Sequence, residues 1–157
     1  METEKVDIHQ SLMDQAYKKY QANEEWSYKE FVTSLDFKEK VAVLTGNFNY
    51  QVCNGGFMQW HDNGYSSEAG QMLIILEKYK KGNPAITKAI QLIQEAVDTI
   101  KNVANESSNR NRYSWGDEED EEEEWDILNG KLSSLDDYYY KIDDQFLAEM
   151  QIVLQGL

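Results

Sequence analysis

Two groups of residues in this chain have the types and spacing to do chemistry. The first is Cys53 and His61, a thiol and an imidazole on either side of the glycine pair Gly55-Gly56. A thiol whose proton is taken by a nearby imidazole becomes a nucleophile, and two adjacent glycines permit the elbow that would bring such side chains together. The chemistry would be that of a small cysteine hydrolase. The second group is the run WGDEEDEEEEWD, Trp115 to Asp126, with nine carboxylates in the ten residues from Asp117 to Asp126 and a tryptophan at each side. Carboxylates at that density can take hard cations or offer a block of negative charge to a basic partner.

The first group carries little weight. A lone cysteine is more often a small hydrophobe, and no second histidine lies near enough to build a metal site. His9, the other histidine, falls on the first helix and is expected to be exposed. The chain has no glycine-rich phosphate loop with its lysine, no HExxH and no GxSxG. Carboxylates are abundant, but a general acid needs a pocket that shifts its pKa. The acidic run also lacks the glycine and alternating spacing of an EF-hand loop. No catalytic residue, metal or cofactor is therefore expected.

The second group belongs to a wider asymmetry. Of the net charge of −14, residues 1–112 contribute almost nothing, with 15 acids against 13 Lys/Arg, whereas residues 113–157 hold 14 acids against only Lys131 and Lys141. Such a field disfavours direct contact with nucleic acid or anionic membranes and attracts basic proteins. As a helix, residues 117–126 would span about 15 Å, close to the axial charge density of duplex DNA; fully extended they would reach about 33 Å, nearer that of a single strand. Blocks of like charge are ordinarily solvated spacers. Two features favour an interaction surface instead. Indoles tend to bury, so Trp115 and Trp125 are expected to pin both ends, and the negative charge continues beyond the run to Glu149. The expected partner-binding residues are Asp117, Glu118, Glu119, Asp120, Glu121, Glu122, Glu123, Glu124, Asp126, Asp136, Asp137, Asp143 and Asp144.

The elements that must position these groups read as helices. Leu12, Met13, Ala16, Tyr17 and Tyr20 recur at three and four, predicting a helix from about Glu4 to Gln21. Ser27 caps a short second helix, and Asp36 with Glu39 has the logic of a capping box for a third, which Gly55-Gly56 should end. A short helix over Phe57–Asn63 stops at Gly64, and Ser66 or Ser67 caps the next. Asn83-Pro84 starts another with Ile86, Ala89, Ile90, Ile93, Val97 and Ile100 in one stripe, to about Ala104. Two more follow, at about Trp125–Tyr139 and Asp143–Leu154. There is no internal repeat and no strand-like alternation. The fold expected is all-α, a single globular domain of about seven or eight helices with an acidic insertion before the last two. Its parts are N-terminal helices over 1–35, a motif-bearing core over 36–104, a polar and acidic insertion over 105–126 and acidic helices over 127–157. With 157 residues, 41% hydrophobic, the chain can bury one core. It has no apolar run of membrane-spanning length, no signal-peptide hydrophobic region and one cysteine, so a cytoplasmic protein is expected.

One further stretch stands out: Asn54 to Asn63, NGGFMQWHDN. Phe57 and Trp60, three apart, should bury on one helical face, leaving Asn54, Gln59 and Asn63 to satisfy backbone groups. Read from its residues, this is a structural elbow. At Asn54, Gly55, Gly56, Phe57, Gln59 and Trp60, and again at Leu135, Asp136, Asp137 and Tyr139, the chain resembles the DNA-mimic-protein-like family, all-helical proteins marked by an NGGF-x-Q-aromatic signature. The resemblance covers roughly Phe37 to Leu154. It implies an all-helical fold, a scaffold role for the signature, a homodimer as one expected arrangement, and acidic surface residues that imitate DNA phosphates. The leading expectation is an acidic inhibitor, a DNA mimic on the basic nucleic-acid-binding surface of a DNA-binding protein, with no direct nucleic acid or membrane contact. The alternative is an immunity or antitoxin protein that neutralises a basic toxin; outside the binding class stands the Cys53/His61 hydrolase.

Overall fold

The computed structural model describes residues 7–111 and 118–157, with side chains over 7–108 and 121–157. The first helix, α1 (Ile8–Ala22), begins at Asp7, whose carboxylate accepts the Gln10 amide at 2.9 Å. Next, α2 (Tyr28–Ser34) starts at a complete capping box: Ser27 Oγ accepts the Glu30 amide, and the Glu30 carboxylate accepts the Ser27 amide, both at 3.1 Å. Asp36 caps α3 (Phe37–Asp62) by accepting the Glu39 amide at 2.8 Å. The reciprocal half of that expected box is not the main use of Glu39. Its buried carboxylate takes the Lys19 ammonium of α1 at 2.7 and 2.9 Å.

A 3-10 turn over Tyr65–Glu68 leads into α4 (Ala69–Tyr79). The expected serine cap is absent, because Ser66 Oγ bonds His61 Nδ1 at 2.7 Å and Ser67 Oγ donates to Gly64 O at 2.9 Å. Helix α5 (Pro84–Asn111) has proline at its first position, as predicted, and α6 (Glu118–Tyr140) and α7 (Asp143–Gln155) complete the fold. The described residues thus form seven α-helices and one 3-10 turn in a single all-α domain, with no strand among them. The segment expected as an insertion is largely helix: α5 runs seven residues past Ala104, and α6 begins within the acidic run. Acids are favoured at a helix N-terminus, where they meet the positive end of the macrodipole.

Helix α3 is the axis of the domain and packs against α1, α4, α6 and α7, while α5 packs against α4, α6 and α7. Residues 41–48 of α3 are buried without interruption, so no face of this stretch reaches solvent. Around its midpoint Phe48, Phe57, Trp60, Tyr139 and Phe146 cluster, mostly edge-on, with Phe48 5.1 Å from Tyr139 and 5.7 Å from Trp60 and tilted against Phe57. Edge-to-face pairs of this kind add about 0.5–1.5 kcal/mol each beyond the area they bury. The stripe predicted for α5 faces inward, fully at Ile86, Ala89, Ile90 and Ile93 and partly at Val97 and Ile100. In α6 the inward stripe is Leu128, Leu132, Leu135 and Tyr139.

Two elements close the chain on itself. The His9 amide donates to Gln151 Oε1 at 3.1 Å, and Gln151 Nε2 donates to Asp7 Oδ1 at 2.7 Å, joining α1 to α7. His9 is buried, contrary to the exposure expected of it. Thr45 Oγ1 gives its proton to Val41 O, so His9 Nε2 donates to Thr45 Oγ1 at 3.0 Å, and burial holds the imidazole pKa below its ordinary value. The spacing misleads there because α1 presses α3 so closely that a Cβ at Gly46 would meet the Met13 side chain.

Candidate functional site

Gly55-Gly56 interrupts α3 without ending it. Gly55 takes φ −150°, ψ 17° and Gly56 takes φ 79°, ψ −178°, after which the helix resumes at Phe57. The positive φ at Gly56 is one that side chains resist, and a Cβ there would also overlap the Asp136 carboxylate. At Gly55 it would overlap the Gln59 amide. The break exposes the N-terminus of the second limb, and Asp136 Oδ1 fills it, accepting the Phe57 amide at 2.8 Å. Phe57 and Trp60 are fully buried, as expected. Asn54, Gln59 and Asn63 do not satisfy backbone groups. They form a side-chain amide chain: Asn54 Nδ2 donates to Gln59 Oε1 at 3.3 Å, while Gln59 Nε2 and Asn63 Nδ2 both donate to Gln51 Oε1, at 3.0 and 2.8 Å.

Cys53 and His61 stand on opposite limbs of the break and are engaged elsewhere. The Cys53 thiol donates to Asp143 Oδ2 at 3.5 Å and to Asn49 Oδ1 at 3.6 Å. Desolvation first, then the bond to Asp143 and the charges of Asp143 and Asp144, push the thiol up to about 12. A nucleophile would need the opposite environment. His61 is bonded to Ser66, so base and thiol are not assembled. No group of three or more His, Cys, Asp or Glu among the described residues is arranged to hold a metal.

The acidic residues divide by role. Asp136 turns inward to the break, where burial raises its carboxyl above the usual range against the opposing effect of the Phe57 amide. Glu149, on α7, is also buried, and its two oxygens accept the Ala85 and Ile86 amides at 3.1 and 3.0 Å. It caps α5, since Asn83 turns its side chain back to Tyr79 O. Asp143 is half-buried beside Cys53.

The outward acids lie mainly on α6. Glu121, Glu122, Glu123, Asp126 and Asp137 are exposed, as is Asp144 on α7, and Glu124 is half-buried and accepts Ser107 Oγ of α5 at 2.7 Å. Trp115 and Asp117 lie outside the described residues, as do the side chains of Glu118, Glu119 and Asp120. Trp125 is 44% exposed rather than buried, so it is not the pin expected of it; the Glu124–Ser107 bond and the stripe beginning at Leu128 hold this end of α6 instead. Five carboxylates in the six residues Glu121–Asp126 occupy about 9 Å of helix at roughly 1.5 Å per residue. That is one per about 1.8 Å, near the value for duplex DNA. Asp137 shares the azimuth of Asp126 about 16 Å further along. Lys131, the one cation in the sequence of α6, sits toward α5 in a groove with Glu95 and Asp98.

Together these features define a single-domain all-α protein built on a broken central helix, whose two signature segments, around Gly56 and around Asp136, touch. The model of the DMP19-like protein family matches residues 33–154, and the chain belongs to that family. No curated protein and no solved structure matches it. The match runs from the end of α2 into α7, close to the span over which the sequence resembles the DNA-mimic family. No helix among the described residues is long and apolar enough to cross a membrane.

Proposed function

We propose that this protein is a non-enzymatic inhibitor, a DNA mimic that occupies the basic nucleic-acid-binding surface of a DNA-binding protein. One observation carries the reading. The acidic run is helical from Glu118, seated on the core through Leu128 and Leu132, and Glu122, Asp126 and Asp137 line an outer face on which α6 places no cation. Charge held in one shape loses less conformational entropy on binding than a flexible tail of the same composition, and membership of the family supports its use as mimicry. Association should be fast and strongly weakened by salt.

The test is capture of basic DNA-binding proteins at low and high salt by wild type and by a variant with Glu121, Glu122, Glu123 and Asp126 changed to Gln or Asn. Capture should fall sharply in the variant, and duplex DNA should compete with it. Undiminished capture by the neutralised protein would sink the role of this face. A captured partner that DNA does not displace would favour neutralisation of a basic toxin.

A further inference from the structure

Tyrosines from three elements gather round a carboxylate that the acidic face does not use. Tyr17 and Tyr20 come from α1, Tyr28 from α2, and Tyr65 with Glu68 from the 3-10 turn. The Tyr28 and Tyr65 rings meet edge-on at 5.8 Å. Asn47 organises the hydroxyls: its Nδ2 donates to Tyr17 Oη at 2.9 Å and to Tyr28 Oη at 3.0 Å. The Tyr28 hydroxyl in turn interacts with the Glu68 carboxylate. Glu68 Oε1 is buried and has no hydrogen-bond partner, and no ion pair to Glu68 is formed among the described residues. Beside it opens a groove of about 610 Å³ whose wall includes Tyr28, Tyr65, Glu68 and Gln71, with Lys29 at its exposed edge. One oxygen of this half-buried carboxylate is desolvated without a cation, which is unfavourable, so its charge is still to be matched.

We propose that the groove between α2 and the 3-10 turn binds an organic cation, an ammonium or guanidinium group, with Glu68 as its counter-charge and Tyr28 and Tyr65 as its walls. The carboxylate selects against anions. Aromatic faces attract cations and best suit weakly hydrated ones, whereas a divalent metal would require several oxygen ligands that are not gathered here. The volume lies within the ordinary range for small-ligand sites, about 300–1,000 Å³. No residue of α6 lines the groove, so the site stands apart from the acidic face. The cation is a free amine or the side chain of a basic protein. Burial lifts the Glu68 carboxyl above its usual value, so a bound cation must displace a proton at acidic pH. The neighbouring groups Tyr17, Tyr28 and Tyr65 have their own values raised and stay neutral through that range.

The experiment is titration of the wild-type chain with methylguanidinium chloride and with propylammonium chloride, against sodium chloride at equal ionic strength, following tyrosine ring resonances. Saturable shifts at Tyr28 and Tyr65 are expected, tighter at pH 8 than at pH 5. Glu68→Gln keeps the side-chain shape and an acceptor for Tyr28 but removes the charge, and should weaken binding roughly tenfold or more. Tyr65→Leu, at a half-exposed position on the turn, removes one wall and should weaken it as well. The variant neutralised on α6 should bind as wild type does, so failure here and failure of the mimic role are distinct results. A non-saturating response indistinguishable from sodium chloride, or undiminished binding in Glu68→Gln, would overturn the proposal. An arginine-centred peptide run in parallel identifies the source: tighter binding than methylguanidinium supports a protein side chain, and weaker binding supports a free amine, at the same site.

Discussion

Asp136 accepts the Phe57 amide at the point where α3 breaks, so its loss would leave a buried N–H without a partner beside an interior aromatic cluster. Asp136→Ala is expected to lower stability by about 1–3 kcal/mol in chemical denaturation, and Asp136→Asn, which keeps an acceptor, by less. Gly56→Ala meets both the positive φ and the Asp136 carboxylate and should cost at least as much. A Gly56→Ala protein as stable as wild type would show that the break is not needed. Cys53 gives a third expectation. With its thiol pushed up to about 12, it should react with iodoacetamide at pH 8 far more slowly than a free cysteine, despite its exposure, and speed up as pH approaches that value. At this scale the glycine pair was legible because few other residues tolerate its backbone. The Asp136 cap was not, because its partner lies 79 positions away and no local spacing links the two.

Among the helices, α5 has its first amides satisfied by Glu149 of α7 rather than by its own flank. Glu149→Ala therefore removes two charge-assisted bonds at once and should destabilise by about 2–4 kcal/mol, with Glu149→Gln intermediate, as read from unfolding midpoints. A loss no greater than that of an exposed acid such as Asp144 would contradict the cap. The stripes of α5 and α6 could be read from apolar spacing because burial itself imposes the 3.6-residue period. Their ends could not. Apolar spacing is silent over residues 105–111 and 118–124, where helix is favoured by charge at the N-terminus of α6 and by the Ser107–Glu124 bond. The inward turn of Asp136 and Glu149 was hidden for a related reason: in a segment this acidic, composition cannot separate carboxylates that cap helices from those that face water.

For the whole molecule, a net charge of −14 means that self-repulsion opposes the fold. Raising sodium chloride from low to moderate concentration should therefore raise the melting temperature by a few degrees, each kcal/mol being about 2–4 °C at this size. A melting temperature that falls with salt would argue against repulsion as the dominant surface effect. Glu68 adds a pH dependence of definite sign. Its folded carboxyl is raised above the ordinary value of about 4.5, so the fold holds that proton more tightly than the unfolded chain. The resulting stabilisation is complete below about 4.5 and is lost as pH rises through the folded value. Glu68→Gln should thus gain on wild type in thermal stability between pH 4 and pH 7, and a gain that shrinks over that interval would contradict the sign. The two inward carboxylates have a consequence for synthesis as well. Asp136 and Glu149 are translated after both helices they cap, so a ribosome that has delivered α3 and α5 holds a chain with two open helix N-termini. The central elbow and α5 cannot settle co-translationally in their final form; they wait for α6 and α7 to emerge, and a pause before those helices would prolong exposure of the aromatic core to chaperones.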